Sequence, residues 1–517
     1  MSKKWLFLTI AVILGISAFF HFISPNIPDL DSFYYIRQAW LYRTEGILDS
    51  AFPWLPYSAI GTFSSSLWYG FSILLIPFTY FQNLVLGIKA AGLFLTALLL
   101  AAFLVVVSRQ GLKLPLLWPF LLFFSAPNVM GQFIMTRPQT VSLILNPLLF
   151  SFLIKTSTHR TLGLVIIFLM SFGIAWSHLN FVWVPLLILG ITAVLKLIIE
   201  KRFILKEIAA VFLGVFLGWL ARPSPLGALK LFYIQVVEQT LGKQSGLPLL
   251  FGKENFPLSY KILFENFSPF IILWIPAIVL LIMLLRNKNL AFDSEKRIFL
   301  WAAAFLSVIF FLLTMFVARR AYNLWAVFGV LLIAGVFTSL SYHLKLKKFV
   351  RPAKIAILAV FVFLLSYSSY KTINSLNRSS YEPDKLKEVS LWLKNRSQPG
   401  EVVFNLHWSD FSPLFFWNQK NYYIGGLDPI FQYAYNPTLY WKFHYLSADQ
   451  VTDKTCGAIA CTESMLEDTY EVLVNDFNAK YIVAGRNHNP RVYAYLEGDT
   501  RFEKKLETAK EAVFLIK

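Results

Sequence analysis

Residues 3–50 read KKWLFLTIAVILGISAFFHFISPNIPDLDSFYYIRQAWLYRTEGILDS, and the order of these letters decides the class of fold. Lys3 and Lys4 precede an apolar run over residues 5–24, long enough as a helix to cross roughly 30 Å of hydrocarbon. A cleaved signal peptide has a shorter apolar core and a small-residue cleavage site, so this run is expected to persist as a helix with its N-terminus in the cytoplasm. Acidic and aromatic residues follow at once, beginning with Asp29 and Asp31 just outside the helix.

The same alternation runs through the chain. Of 517 residues, 57% are hydrophobic, 17% aromatic and only 15% charged, against about a quarter charged in soluble domains. Further apolar blocks lie at 85–107, 112–128, 139–155, 162–178, 180–199, 208–221, 268–286, 297–317, 322–341 and 353–371. With 5–24 they predict about eleven transmembrane helices. The net charge of +18 sits in short loops beside these blocks, around Arg109, Lys155, Lys201, Lys288 and Lys345–Lys354, rather than along one stripe. That pattern is positive-inside topology, and nucleic acid is excluded as a partner because no basic and aromatic platform is interleaved. Residues 67–81 form a twelfth apolar block; counting it as a crossing would put the later basic loops on the wrong side, so an interfacial or re-entrant helix is expected there.

This topology leaves residues 25–84, 129–138 and 222–267 as external loops of a membrane module over 1–371. It leaves 372–517 as an extracytoplasmic soluble domain. There KLKEVSLWLKNRSQPGEVVFN (385–405) reads as helix, Pro-Gly turn and strand, and FNAKYIVAG (477–485) as another strand, so an α/β fold is expected. The two cysteines, Cys456 and Cys461, suit a local disulfide; free thiols are the alternative, and a zinc site lacks further ligands nearby. The location implied is the plasma (inner) membrane of a bacterium or archaeon, multi-pass, with the N-terminus cytoplasmic and the C-terminal domain outside.

Chemistry should lie in the external segments. Asp29 and Asp31 could act as a base or hold a divalent cation, magnesium or manganese; equally, they could cap the amphipathic helix expected over Ser32–Tyr42. Arg137 in NVMGQFIMTRPQTVS (128–142) could face a phosphate or snorkel at a helix mouth. Arg319 and Arg320 in RRAYN stand outside against the positive-inside bias, which suits a bound lipid phosphate or an ion pair with a loop carboxylate. Loop 222–267 offers Glu238, Glu254 and Glu265, of which Glu265 is preferred as nearest a membrane helix. His178 in WSHLN is read as a hydrogen-bonded interface residue or a base. HWSDFSPLFFWNQKNYYIGGLDP (407–429) gathers Trp408, Asp410 and several rings, which suit sugar or peptide contact or packing against the membrane module.

An acidic residue just outside the first span, then an aromatic helix with an arginine at the sixth position, resembles the opening of oligosaccharyltransferase catalytic subunits and, more loosely, of other GT-C glycosyltransferases. The resemblance covers nearly the whole chain as a pattern of loops and spans. It implies a GT-C fold and transfer of a glycosyl group from a polyprenyl-phosphate-linked sugar to a glycan, lipid or protein acceptor. Asp31 is then the catalytic carboxylate, with Asp29 as alternate and Arg37 as its partner on the helix face. It also implies that Arg320, Arg319 and Arg137 serve the donor phosphate, and Glu265, Trp408 and Asp410 the acceptor; His178, from its own surroundings, is a further candidate for substrate contact. Two departures matter. Where oligosaccharyltransferases carry a second acidic pair for a metal, Arg137 and Gln139 stand here, so no cofactor is required by the pattern. Of the WWDYG acceptor signature only Trp408 and Asp410 match, so recognition of a Ser/Thr sequon is not implied. A transporter or lipid flippase is the competing class, opposed by the scarcity of carboxylates in the spans and the lack of an inverted repeat. A non-catalytic scaffold for envelope assembly is a third.

Overall fold

The computed structural model describes residues 3–49, 51–155, 160–286, 292–343 and 347–517. Lys288 and Lys345, used above to orient the chain, lie outside these residues. Two compact units account for the chain: Met1–Pro28 with Ile88–Ala221 and Lys253–Ser380, and Asp29–Gly87 with Arg222–Gly252 and Tyr381–Lys517.

The first unit is helical. Among the described residues, five stretches are long and apolar enough to cross a membrane: Leu84–Arg109, Leu179–Glu200, Tyr260–Arg286, Ser294–Phe316 and Arg319–Ser341. Leu8–Phe22, Pro138–Ile154 and Thr161–Ser177 are equally apolar but shorter. The crossing expected at 112–128 is not one helix. Leu117–Phe123 stops, Ala126 is extended, and a second short helix runs Pro127–Phe133. Pro127 causes the break, because its ring bars the helical conformation for the residue before it while suiting the first helical position. Trp325 marks the core: it is fully buried, with Phe267, Phe270, Trp274 and Phe311 ring centroids at 5.4, 5.2, 5.3 and 5.0 Å. Helices Arg160–Ser177 and Leu205–Leu220 approach closely at Gly214 and Gly218, where an added Cβ would run into the carbonyl oxygens of Phe168 and Phe172. Small residues four apart allow such backbone contact where apolar burial gives helices no other reason to associate.

The second unit centres on a sheet of order β2-β1-β5-β7-β6. Its strands are β1 (Val402–Asn405), β2 (Tyr422–Tyr423), β5 (Ala479–Gly485), β6 (Phe502–Glu507) and β7 (Glu511–Ile516); a separate two-stranded pair joins β3 (Lys454–Thr455) to β4 (Glu467–Asp468). β1 runs parallel to β2 and β5, and β7 antiparallel to β5 and β6. The expected helix appears as Lys387–Arg396, and Gly400 takes a φ of +81° in the turn before β1. The outer strand β6 turns Glu503, Lys504 and Lys505 to solvent. Cys456 and Cys461 are joined in a disulfide.

The units do not follow a single cut near residue 371. Helix Lys347–Arg378 runs past that point, and the two large loops fold with the sheet. Aromatic contacts explain why: Phe52 lies 5.7 Å from Phe415 and 6.2 Å from Phe411, and Trp54 5.1 Å from Phe415. The Trp54 indole N–H donates to the Gln419 carbonyl at 2.7 Å, and its own carbonyl accepts from the Tyr423 amide at 2.8 Å, tying the loop to strand β2.

Candidate functional site

In the sheet-bearing unit, the chemistry is organised by helix Asp31–Thr44. It is not the amphipathic surface helix that the sequence suggests, since residues 32–36, 38, 39, 41 and 42 are all buried. Asp29 lies just ahead of it, 3% exposed, accepting from the Ser32 amide at 3.2 Å and from the Ser32 hydroxyl at 2.6 Å. This is the capping role of a carboxylate at a helix start. Asp31 opens the helix and is half-buried.

Residues three and four apart share a helix face. Counting from Asp31, that face carries Tyr34, Gln38 and Tyr42, all buried. These three side chains, with Phe52, Ser65, Ser66, Tyr69, Arg222 and Ser224, line a cavity of about 10 Å³, room for about one water. Arg222 is 6% exposed and donates to the Ser66 carbonyl at 2.9 Å. Burial pushes its pKa down to about 10, opposed by the Tyr42 and Tyr69 phenols beside it, so it remains a cation at neutral pH. Burial also holds the Tyr34 and Tyr42 phenols well above their ordinary range, so both stay protonated donors. The buried Oε1 of Gln38 has no hydrogen-bond partner among the described residues. A half-buried carboxylate thus heads a helix face of hydroxyl and amide groups with a guanidinium beside it, groups that can donate to and accept from hydroxyls.

Arg37 is not Asp31's partner on this face. At about 100° per residue it points some 120° away. Its Nε donates to the Phe416 carbonyl at 2.8 Å, and its guanidinium lies 4.8 and 5.1 Å from the rings of Trp40 and Phe416.

The helical unit holds a second cluster. Arg137 and Arg320 both pair with Glu254, at 2.9 and 3.1 Å, and Arg320 also donates to Asn255 Oδ1. Arg319 adds its positive charge to the same carboxylate, and its amide donates to the Phe256 carbonyl at 2.7 Å. Burial alone would raise the Glu254 carboxyl; the Arg137 and Arg320 guanidiniums overcome this and hold it down to about 2. The ion pair weighed as the alternative for Arg320 is therefore present, and Glu254 is the loop carboxylate that makes it. Glu265, preferred from the sequence, is 53% exposed on helix Tyr260–Arg286 and faces Lys261 at 3.9 Å. Proximity to a helix was a poor guide; the 3-10 turn Lys253–Asn255 is what aims Glu254.

The remaining candidates sit in structural roles. His178 is buried, stacks on Phe181 with centroids 4.3 Å apart, and places Nδ1 2.9 Å from the Ser142 hydroxyl. Trp408 packs against the core of the sheet, and Asp410 pairs with Lys385 at 3.3 Å. No group of three His, Cys, Asp or Glu side chains gathers among the described residues. The row behind Asp31 and the buried Arg222 were not singled out in the sequence; the i, i+3, i+7, i+11 spacing from Asp31 is the signal that could have found the row.

No protein-family model matches the sequence, and no curated protein matches it. Solved structures do. Arabinofuranosyltransferase AftD from Mycobacteria superposes with a TM-score of 0.57 at 12% identity, over 100% of this chain and 42% of that one. This chain thus spans under half the length of AftD. ArnT from Cupriavidus metallidurans bound to undecaprenyl phosphate gives 0.56 at 11% identity, over 99% of this chain and 98% of that one, and its apo form gives 0.54. At these identities the likeness is one of fold alone.

Proposed function

We propose that this chain transfers a glycosyl group from a polyprenyl-phosphate-linked sugar to an acceptor at the extracytoplasmic face of the membrane. One observation carries the reading: Asp31 stands half-buried at the head of a row of protonated phenols, an amide and a buried guanidinium that line a cavity. In this reading Asp31 is the general base that takes the proton of the acceptor nucleophile, a contribution of typically 10²–10⁴-fold. The Tyr34, Tyr42 and Gln38 row orients sugar hydroxyls. Asp29 keeps Asp31's helix turn in place.

The arginine cluster is assigned on charge. Arg137, Arg319 and Arg320 share one carboxylate, Glu254, which leaves positive charge over for a departing phosphate. A phosphate is already a good leaving group, so electrostatic placement suffices without a cation. The neighbours support the reaction class: one is named as an arabinofuranosyltransferase and the other was solved with undecaprenyl phosphate. The topology in this reading has about eleven crossings, one of them through the broken pair Leu117–Phe123 and Pro127–Phe133, with the N-terminus inside and the C-terminus outside.

The test is sugar transfer from radiolabelled polyprenyl-phosphate donors in extracted membranes, comparing the natural chain with Asp31→Asn, with and without a chelator. Transfer lost in the variant and indifferent to chelation is expected. Undiminished transfer by Asp31→Asn would sink the mechanism, and donor uptake into vesicles without covalent product would favour a transporter.

A further inference from the structure

The other side of helix Asp31–Thr44 borders a larger opening. A cavity of about 370 Å³ is lined by Arg37, Gln82, Asn83, Asp384, Lys387, Phe416 and Trp417, among others. That volume falls in the range of small-molecule pockets. It is apart from the row behind Asp31, because Arg37 points away from the face that carries Tyr34, Gln38 and Tyr42, and the two cavities share no lining residue.

Its chemistry is specific. Arg37 and Lys387 bring two cations, and neither forms an ion pair among the described residues: Arg37 rests on the Phe416 ring and Lys387 lies 5.0 Å from the centre of Trp417. Burial lowers the Arg37 pKa to about 10, the mark of a cation stripped of water with no carboxylate to offset the loss. The same wall carries the side-chain amides of Gln82, which can donate to and accept from hydroxyl groups, and Asn83, whose Oδ1 accepts from the Val85 amide at 3.0 Å and whose N–H groups can donate. Two aromatic rings complete the wall. Two cations against the single carboxylate of Asp384 leave the lining net positive, which calls for an anion; amides call for hydroxyls, and rings call for the C–H face of a sugar.

We propose that this cavity is a binding site for an acidic sugar, carboxylated or phosphorylated, separate from the row that serves Asp31. The inference stands on its own lining and does not depend on Asp31 being catalytic. The sugar could arrive free or as the head of a lipid, and the experiment separates these sources.

Equilibrium dialysis of the full chain in detergent with labelled glucuronic acid, glucose 6-phosphate, glucose, inorganic phosphate and octyl glucuronide tests it. Glucuronic acid and glucose 6-phosphate should bind at least ten-fold more tightly than glucose or inorganic phosphate. Lys387→Gln should erase the preference for acidic over neutral sugar, and Asn83→Ala should weaken the acidic sugars while keeping the preference. Lys387 is exposed and anchors no other element, so this variant should fold even where Arg37→Gln, which loses the bond to Phe416, does not. Binding by octyl glucuronide alone would keep the site and assign a lipid-borne source. Equal affinity for glucose and glucuronic acid, phosphate binding as tightly as glucose 6-phosphate, or an unchanged Lys387→Gln would overturn the proposal.

Discussion

Asp29 commits both carboxylate oxygens to Ser32, whereas Asp31, two positions on, heads the row of Tyr34, Gln38 and Tyr42. The pair can be separated by experiment. Asp29→Ala should cost about 1 kcal/mol of stability, the typical loss of a helix cap, with transfer reduced only in proportion to the folded fraction. Asp31→Asn should leave the thermal midpoint within a degree or two and lower the transfer rate by about 10²-fold or more. Equal losses of activity at equal stability would refute this division. The sequence made both carboxylates visible, because two acids directly after an apolar run stand out in a chain so poor in charge. It could not say which was bound to its own helix, since that depends on the orientation of a serine three residues away. Arg222 was hidden for a different reason: it looks like a flanking charge until folding closes Tyr42 and Tyr69 around it.

At the scale of elements, the turn that aims Glu254 and the glycines that seat helix Leu205–Leu220 each make a measurable claim. A carboxyl held at about 2 in the folded chain but near 4.5 when unfolded contributes stability that is complete above about pH 4.5 and lost as pH falls towards 2. Thermal midpoints measured from pH 6 to 2.5 should therefore fall more steeply for the natural chain than for Glu254→Gln; parallel curves would show that Glu254 is not coupled to its arginines. Gly218→Leu should force its helix away from Phe172 and cost about 1–3 kcal/mol, as overpacking does, read as a lower midpoint in detergent. Such helices were legible from apolar length alone. The break before Pro127 was legible too, but an apolar run that meets the length criterion outweighs one proline when read as a window. Glu265 was preferred over Glu254 because distance along the chain stands in poorly for distance in space.

For the whole molecule, the resemblance was drawn from the first-loop motif and from the pattern of loops and spans over nearly the whole chain, and the complete chain shares its fold with AftD and ArnT. The grouping of the units was less legible. Charge and hydropathy mark where a soluble segment begins, but residues 29–87 join the sheet through ring contacts between positions more than 300 residues apart, such as Phe52 and Phe415, and residues 222–252 through hydrogen bonds from Gln239 to Asp428 and from the Leu250 amide to the Tyr440 hydroxyl. The disulfide offers a test of orientation. Such bonds persist outside the cytoplasm, so a membrane-impermeant maleimide on intact cells should label Cys456 and Cys461 only after an impermeant reductant; labelling before reduction would contradict the proposed topology. The short spacing of the two cysteines limits the disulfide's contribution to stability to about 2 kcal/mol.

The last strand of the sheet has a bearing on how these molecules coexist. A sheet ends in a row of unsatisfied amides and carbonyls that would accept a strand from any neighbour. Strand β6 meets this with FEKKLE, in which Lys504 faces Glu497 and Glu507 at 2.7 Å each and Lys505 faces Glu503 at 2.6 Å. An incoming strand would have to strip water from these side chains and break their pairings before its first hydrogen bond formed. Crowded in two dimensions at a membrane surface, copies of this chain carry a border that repels its own kind.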